Sequence, residues 1–298
     1  MFLSRTLLFL FATSLLSFSF SVLAQDDDDV VTVDSSIVVI NATVTDGSGN
    51  HVSGLRQNQF SVFENGVEQE VGFFAAEETP FAAVILLDTS GSMEQRVSMA
   101  RSAAIRFLDG IRDTDNAQIY RFDSKVSLVQ KFSNSRDVSE KIFDLKADGM
   151  TALNDAIFQA AKDLGDRPEK RRAIIVLSDG MDTYSGHSSE KALKAALAVN
   201  ASIYTVDMSA ANDKQRAQTQ GVLRNFADKT GGMFIATPGG IAMRDAFHKI
   251  VEELGTQYTL SYQPKNAAKD GKWRAIEVRV TKPNLSIRTR KGYNAAKR

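Results

Sequence analysis

A strand that is apolar at every position can be buried only if both of its faces are covered, and this chain repeats such strands between helical patterns. The run "FAAVILLD" (81–88) shows no polar alternation, which points to a parallel sheet with helices packed on either side. Apolar residues then recur at helical spacing through Met93, Val97, Ala100, Ala104, Phe107, Leu108 and Ile111. Strands "AQIYRFD" and "VSLVQKF" follow, then a helix "TALNDAIFQAAKDLG" (151–165), a strand "RRAIIVLSDG" (171–180) and a helix "SSEKALKAALAVN" (188–200). The series closes with a strand "ASIYTVDM" (201–208), a helix around 214–230, a strand "GMFIAT" and a helix over 240–254. This alternation predicts an α/β domain over residues 80–254, a doubly wound, mostly parallel sheet with helices on both faces.

On either side the period changes to two. In the flank 30–79, "IVVINATVTDGSG" alternates, and "FSVFENGVEQEVGFF" predicts two strands joined by a turn at Asn65-Gly66. The flank 255–298 holds "QYTLSYQP" (257–264), "WRAIEVRVT" (273–281) and "LSIRTRKGY" (285–293), three strands separated by turn residues. Flanks of roughly 40 residues are too short to bury a core alone. The expectation is that they pair into one β-sandwich with the α/β domain inserted in it; the alternative is two hairpin appendages packed separately on that domain.

The first 24 residues are of a different kind. Arg5 is their only charge, and "LLFLFATSLLSFSFSVLA" (7–24) ends with Val22 and Ala24 set for cleavage before Gln25. That predicts a secretory signal peptide, with an uncleaved anchor as the alternative because the run approaches the length of a membrane span. "QDDDD" (25–29) is a solvated acidic leader. The chain has no cysteine, which excludes disulfides and thiolate metal sites and fits an exported bacterial protein of the periplasm, envelope or exterior. Basic and acidic groups balance at 36 each, so no field favours nucleic acid, and no membrane contact beyond the leader is expected.

Chemistry concentrates where the strands end. "VILLDTSGSM" (84–93) drives an apolar strand into Asp88 and then presents Ser90 and Ser92 around Gly91, which permits a tight turn. "AIIVLSD" ends at Asp179, and Thr151 lies in "DGMTALND" just before a helix. In an open α/β sheet, ligands bind beyond the carboxyl ends of the strands, so Asp88, Ser90, Ser92, Thr151 and Asp179 meet on one rim. Each alone has a plainer explanation, as a helix N-cap for the hydroxyls or a turn former for the aspartates. Five oxygen donors from three segments at one rim point instead to a hard divalent cation, Mg²⁺, Mn²⁺ or Ca²⁺.

These residues carry a resemblance. "DTSGS", the later threonine and the "SDG" aspartate resemble the metal-ion-dependent adhesion site of von Willebrand factor type A domains, and "VILLDTSGSM", "GMTALNDAI" and "AIIVLSDGMDT" are similar to that family over 80–254. The flanks resemble a bacterial subfamily of exported proteins related to it. The resemblance implies that Ser90, Ser92 and Thr151 ligate the ion directly while Asp88 and Asp179 act mostly through water. It implies Mg²⁺ as the ion, and a protein partner that fills an open coordination position with an Asp or Glu carboxylate.

Asp155, one turn past Thr151, is placed to orient water or a hydroxyl, or else is an exposed helix acid; Asp182 is read as a loop residue. The histidines His51, His187 and His248 are scattered, and His187 is read as a solvent-exposed loop residue. No nucleophile elbow, zinc-protease helix or phosphate-binding loop is present. The expectation is therefore an exported metal-dependent binding module and not an enzyme, with no catalytic residues. A scaffolding protein with a structural ion, or a metal-dependent hydrolase, is the alternative.

Overall fold

The computed structural model describes residues 37–76, 79–210, 214–236 and 241–297, with the side chains of 241–244 excepted. The leader and acidic run at 1–29 lie outside the described residues. Four strands come first: β1 (Val38–Thr45), β2 (Phe60–Glu64), β3 (Val67–Gln69) and β4 (Val71–Ala75). The α/β portion follows as β5 (Phe81–Asp88), α1 (Val97–Gly110), β6 (Asn116–Phe122), β7 (Val126–Ser133), α2 (Leu153–Gly165) and β8 (Arg171–Ser178). It continues with α3 (Ser189–Ala198), β9 (Ala201–Asp207), α4 (Arg216–Thr230), β10 (Phe234–Ala236) and α5 (Ile241–Thr256). Four more strands close the chain: β11 (Tyr258–Tyr262), β12 (Trp273–Val280), β13 (Ser286–Arg288) and β14 (Gly292–Asn294).

The central sheet has the order β10-β9-β8-β5-β6-β7 and is parallel except for β7 at one edge. Side-chain alternation along β5 divides the core as the apolar run predicts. Phe81, Ala83, Ile85 and Leu87 pack with α1 and α5 residues such as Phe107 and Ile250, while Ala82, Val84 and Leu86 pack with α2, α3 and α4 residues such as Ile157 and Phe226. Strand order reverses between β5 and β8, so their carboxyl ends form the switch point of the sheet. Met93, which fits the helical spacing, sits in a 3₁₀ turn at Gly91–Met93 ahead of α1.

Both flanks contribute to both remaining sheets, with orders β13-β1-β11-β4 and β14-β12-β2-β3. They bury one shared core that includes Ile40, Val62, Leu260 and Val278. The α/β portion is thus inserted in a β-sandwich, as expected. Two strand expectations are corrected here. "VEQEVGFF" is not one strand but β3 and β4, and "LSIRTRKGY" is β13 and β14; each pair divides between the two sheets. The second break has a clear cause. Arg290 lies buried at the crossing, donating to the carbonyls of Val39 (2.7 Å) and Leu197 (3.2 Å), while Thr289 Oγ1 donates to Asn41 O at 2.9 Å. At the same place Gly231 adopts φ 78°, and a Cβ there would lie 2.4 Å from Arg290 N, so only glycine lets the chains approach.

Sandwich and α/β portion meet through polar groups. One face of the β1–β11 sheet is apolar; the other presents Asn41, Thr43 and Thr259, all buried. Arg171, fully buried at the start of β8, donates from Nε to Thr259 Oγ1 at 3.0 Å. Its remaining nitrogens donate to the carbonyls of Ala76, Thr79, Leu254, Gly255 and Gln257. Those carbonyls belong to the segments entering and leaving the insert, so one guanidinium satisfies both crossings. Beside it the buried Glu253 accepts from Thr43 Oγ1 (3.1 Å), Tyr204 OH (2.7 Å) and Arg288. β8 is eight residues long, so this seam lies roughly 23 Å from the strand's far end at the usual rise per residue.

Replacing Arg171 with methionine keeps the volume but strips these buried carbonyls of their donor. Stability in urea should fall by about 3 kcal/mol or more, since each buried acceptor left unsatisfied costs about 1–3 kcal/mol. A loss within about 0.5 kcal/mol, typical of surface substitutions, would show that the seam is not what joins the two parts.

Candidate metal centre

Asp88 is the last residue of β5, and parallel pairing of Leu87 with Leu177 sets it beside Ser178, the last residue of β8. Ser178 Oγ donates to Asp88 Oδ2 at 2.5 Å and accepts from Gly180 N at 3.0 Å. Asp88 Oδ1 accepts from Ser90 N at 2.9 Å, closing a local turn. The Ser90 and Ser92 hydroxyls lie 3.2 Å apart. Thr89 instead turns toward β6, where its hydroxyl donates to Phe122 O at 3.2 Å. Gly91 has no positive φ, and a Cβ there would meet nothing closer than Gly149 O at 3.5 Å; the turn does not need the freedom of glycine that the sequence led us to expect.

The Thr151 loop is laced to its neighbours on three sides. Asp148 N donates to Thr89 O (2.8 Å) and Gly91 N to Gly149 O (3.1 Å), binding it to the loop after β5. Met150 N donates to Ser124 Oγ (3.0 Å) and Ala152 N to Asp123 O (2.8 Å), binding it to the β6–β7 turn. Thr183 N and Tyr184 N both donate to Thr151 O, at 2.9 and 3.0 Å, and Thr151 N donates to Thr183 Oγ1 at 3.0 Å. The loop carrying Thr151 therefore lies between the loop of the two serines and the loop that follows Asp179. Gly180, at φ 83°, makes the turn after Asp179, and a Cβ there would lie 2.7 Å from Thr219 O.

The capping explanation for the hydroxyls does not describe this arrangement. α1 has Arg96 at its N-cap and α2 has Ala152, neither with a side-chain cap bond. The Thr151 hydroxyl makes no hydrogen bond to another described residue, and the Ser92 hydroxyl meets only that of Ser90.

The electrostatics are unusual for aspartates this deep. Asp88 is fully buried and Asp179 is 2 % exposed, yet among the described residues neither forms an ion pair. Burial pushes Asp88 up to about 7 and the Asp179 charge adds to it, against hydrogen bonds from Ser178 and Ser90 that pull it down. A third aspartate on this rim shows the ordinary solution. Asp207, ending β9, is equally buried, but it accepts from Arg216 Nη2 at 3.3 Å and from Gln220 and Ser209. Buried charges are normally paired or hold a metal. Two carboxylates with no cation, surrounded by hydroxyls and free of sulfur and imidazole, form a donor set that fits a hard divalent ion. Ser90, Ser92 and Thr151 could supply neutral oxygens to it, and Asp88 and Asp179 charge.

Three neighbours differ from their sequence-based assignments or were not recognised. Ser178 was not singled out, although a hydroxyl one residue before a strand-end aspartate is a signal for it. Asp182 is more than a loop residue: its Oδ2 accepts from Asn154 N at 2.8 Å, giving α2 a cap from outside its own chain segment. His187 is not a solvent-exposed loop residue. Its ring stacks on Phe158 with centroids 4.1 Å apart, and its Nδ1 lies 2.6 Å from Asp155 Oδ1. Asp155 in turn accepts the backbone N–H groups of Gly186 and His187, so it holds the loop after Asp179 against α2.

Residues 83–181 match the family model described as von Willebrand factor type A domain. Over 109 residues the chain is 32 % identical to the uncharacterized protein sll0103 of Synechocystis sp., covering 34 % of this chain and 25 % of that one. Over 134 residues it is 28 % identical to inter-alpha-trypsin inhibitor heavy chain H3 of Bos taurus, covering 40 % of this chain and 15 % of that one. The chain thus spans a quarter or less of the length of these relatives. Among solved structures it is similar to proximal thread matrix protein 1 from the mussel byssus, with TM-score 0.50 and 14 % identity over 64 % of this chain and 51 % of that one. The matched stretch runs from within β5 to just past Asp179 and takes in Asp88, Ser90, Ser92, Thr151 and Asp179; over that third of the chain the protein is similar to the von Willebrand factor type A domain.

Proposed function

We propose that the protein is an exported, metal-dependent protein-binding module that captures an Asp or Glu carboxylate of its partner at a site of the metal-ion-dependent adhesion type. The observation that carries this reading is the pair of buried carboxylates, Asp88 and Asp179, left without a counter-charge on a rim where Asp207 has one. Ser90, Ser92 and Thr151 would hold Mg²⁺ with uncharged oxygens, and Asp88 and Asp179 would supply its charge balance. A cation held there would supply an electrophile able to attract an acid from outside. Ser178 and the Ser90 amide hold Asp88 in place, and Asp182 and Asp155 hold the loop that carries Asp179. Binding, not catalysis, fits this set, because both Asp88 oxygens are already engaged and His187 is committed to Asp155 and Phe158. Export rests on the apolar leader, and the partner is a protein, not nucleic acid or a membrane.

Mg²⁺ or Mn²⁺ should raise the melting temperature of the chain, reaching about 2.7 kcal/mol of added stability when free metal is about a hundredfold above Kd. Asp88→Asn should remove that response and yet leave the metal-free protein at pH 8 as stable as the parent or more so, since a desolvated charge is lost. Thermal melts with Mg²⁺ and with EDTA test both; a variant that keeps the Mg²⁺ response would refute the site.

The raised Asp88 gives a pH signature. Between its unfolded value of 3.8 and about 7, the folded metal-free protein holds a proton that the unfolded chain has released. Metal-free stability therefore falls as pH rises through this window and levels off above about 7. Metal must displace that proton below pH 7, so Mg²⁺ affinity should weaken by up to about tenfold per unit as pH drops. Calorimetric titrations at pH 6 in buffers of different ionisation enthalpy should report close to one proton released; release of none would contradict the role given to Asp88.

A further inference from the structure

Resting on that reading of the rim, we infer that the site selects a single acidic residue flanked by apolar side chains, with Met150 and Tyr184 as the specificity-determining residues. Both belong to the loops that frame Thr151: Met150 precedes it in the chain, and Tyr184 N donates to its carbonyl at 3.0 Å. Both are anchored through the backbone, Met150 by Ser124 Oγ at 3.0 Å. The two residues are nevertheless 52 % and 56 % exposed, and neither makes a side-chain hydrogen bond to a described residue.

The other large exposed apolar residues stand elsewhere or are already engaged. Ile37, Val67 and Trp273 belong to the sandwich portion and Leu128 to the edge strand β7. Phe73 lies under the Lys170 ammonium at 3.7 Å, and Phe143 lies near the Arg101 guanidinium at 6.0 Å. Met150 and Tyr184 alone among the eight are joined directly to a proposed ligand residue. A carboxylate that reaches Thr151 brings its neighbours over these two side chains. Methionine adapts to varied apolar shapes, and tyrosine adds a large contact at small entropic cost. The cation would fix the acid, and this pair would choose the sequence around it.

The test uses the full chain with ¹³C-methyl methionine, the Met150 signal being assigned from Met150→Leu. The probes are three capped tripeptides, Leu-Glu-Phe, Gly-Glu-Gly and Leu-Gln-Phe, titrated in Mg²⁺ and in EDTA. Leu-Glu-Phe should shift the Met150 methyl signal in Mg²⁺ only, with Kd about tenfold or more below that of Gly-Glu-Gly. Tyr184→Ala and Met150→Ala should erase that margin while keeping the full Mg²⁺ rise in melting temperature. Equal binding of Leu-Glu-Phe and Gly-Glu-Gly overturns the selectivity and leaves carboxylate capture standing. Equal binding of Leu-Gln-Phe, or binding that survives EDTA, overturns the coupling of the apolar pair to the metal. Failure of Leu-Glu-Phe to bind the Mg²⁺-loaded protein also overturns the inference, and absence of any Mg²⁺ effect on melting refutes the metal reading beneath it.

Discussion

Burial of β5 on both faces is the constraint from which the rest follows. The seven residues Phe81 to Leu87 are fully covered, so no side chain before the tip is available to a ligand. Polar function is confined to the tips, and at the tip the chain must leave a dry environment within one residue. Asp88 stands at that boundary. It is deep enough to be desolvated and close enough to the rim to need compensation, which the backbone of Ser90 and the hydroxyl of Ser178 supply only in part. The loops at that tip are heavily cross-bonded, which fixes the segments that carry Ser90, Ser92 and Thr151 against one another.

The opposite end of the sheet solves a different problem. An insertion needs its entry and exit side by side, and two chain crossings leave buried carbonyls that neither sheet can satisfy. Arg171 donates to carbonyls on both sides, and Glu253 gathers hydroxyls and a guanidinium from the α/β portion and the sandwich. This seam is polar where a domain core would be apolar. It fixes orientation through direction-dependent bonds more than through area, and it keeps the sandwich away from the rim.

Much of this was legible in the sequence because it depends on local periodicity. The unbroken apolar runs announced a sheet covered on two sides, and strand-end aspartates followed by hydroxyls announced the rim. What stayed hidden is non-local. Nothing near Thr289 or Glu70 states that the strand changes sheets there, since alternation looks the same in either sheet. Arg171 reads as part of a surface-like "EKRR" cluster (169–172), and its burial depends on carbonyls more than 80 residues away along the chain. Asp182 looks like a loop residue because the helix it caps begins 29 residues earlier at Leu153. Asp207 and Ser209 repeat the spacing of Asp88 and Ser90, and the return of Arg216 and Gln220 from α4 sets the second strand end apart.

The pairing of β1 carries a mechanical consequence. Residues Val38 to Ala42 pair antiparallel with β11, and Thr43 to Thr45 pair with β13 on the other side. These bonds lie across the strand. A tension borne along β1 therefore loads the whole ladder in shear, and its bonds must rupture together and not peel one at a time. β11 begins two residues after α5 ends, so the load passes into the insert at the Glu253 seam without crossing a slack linker.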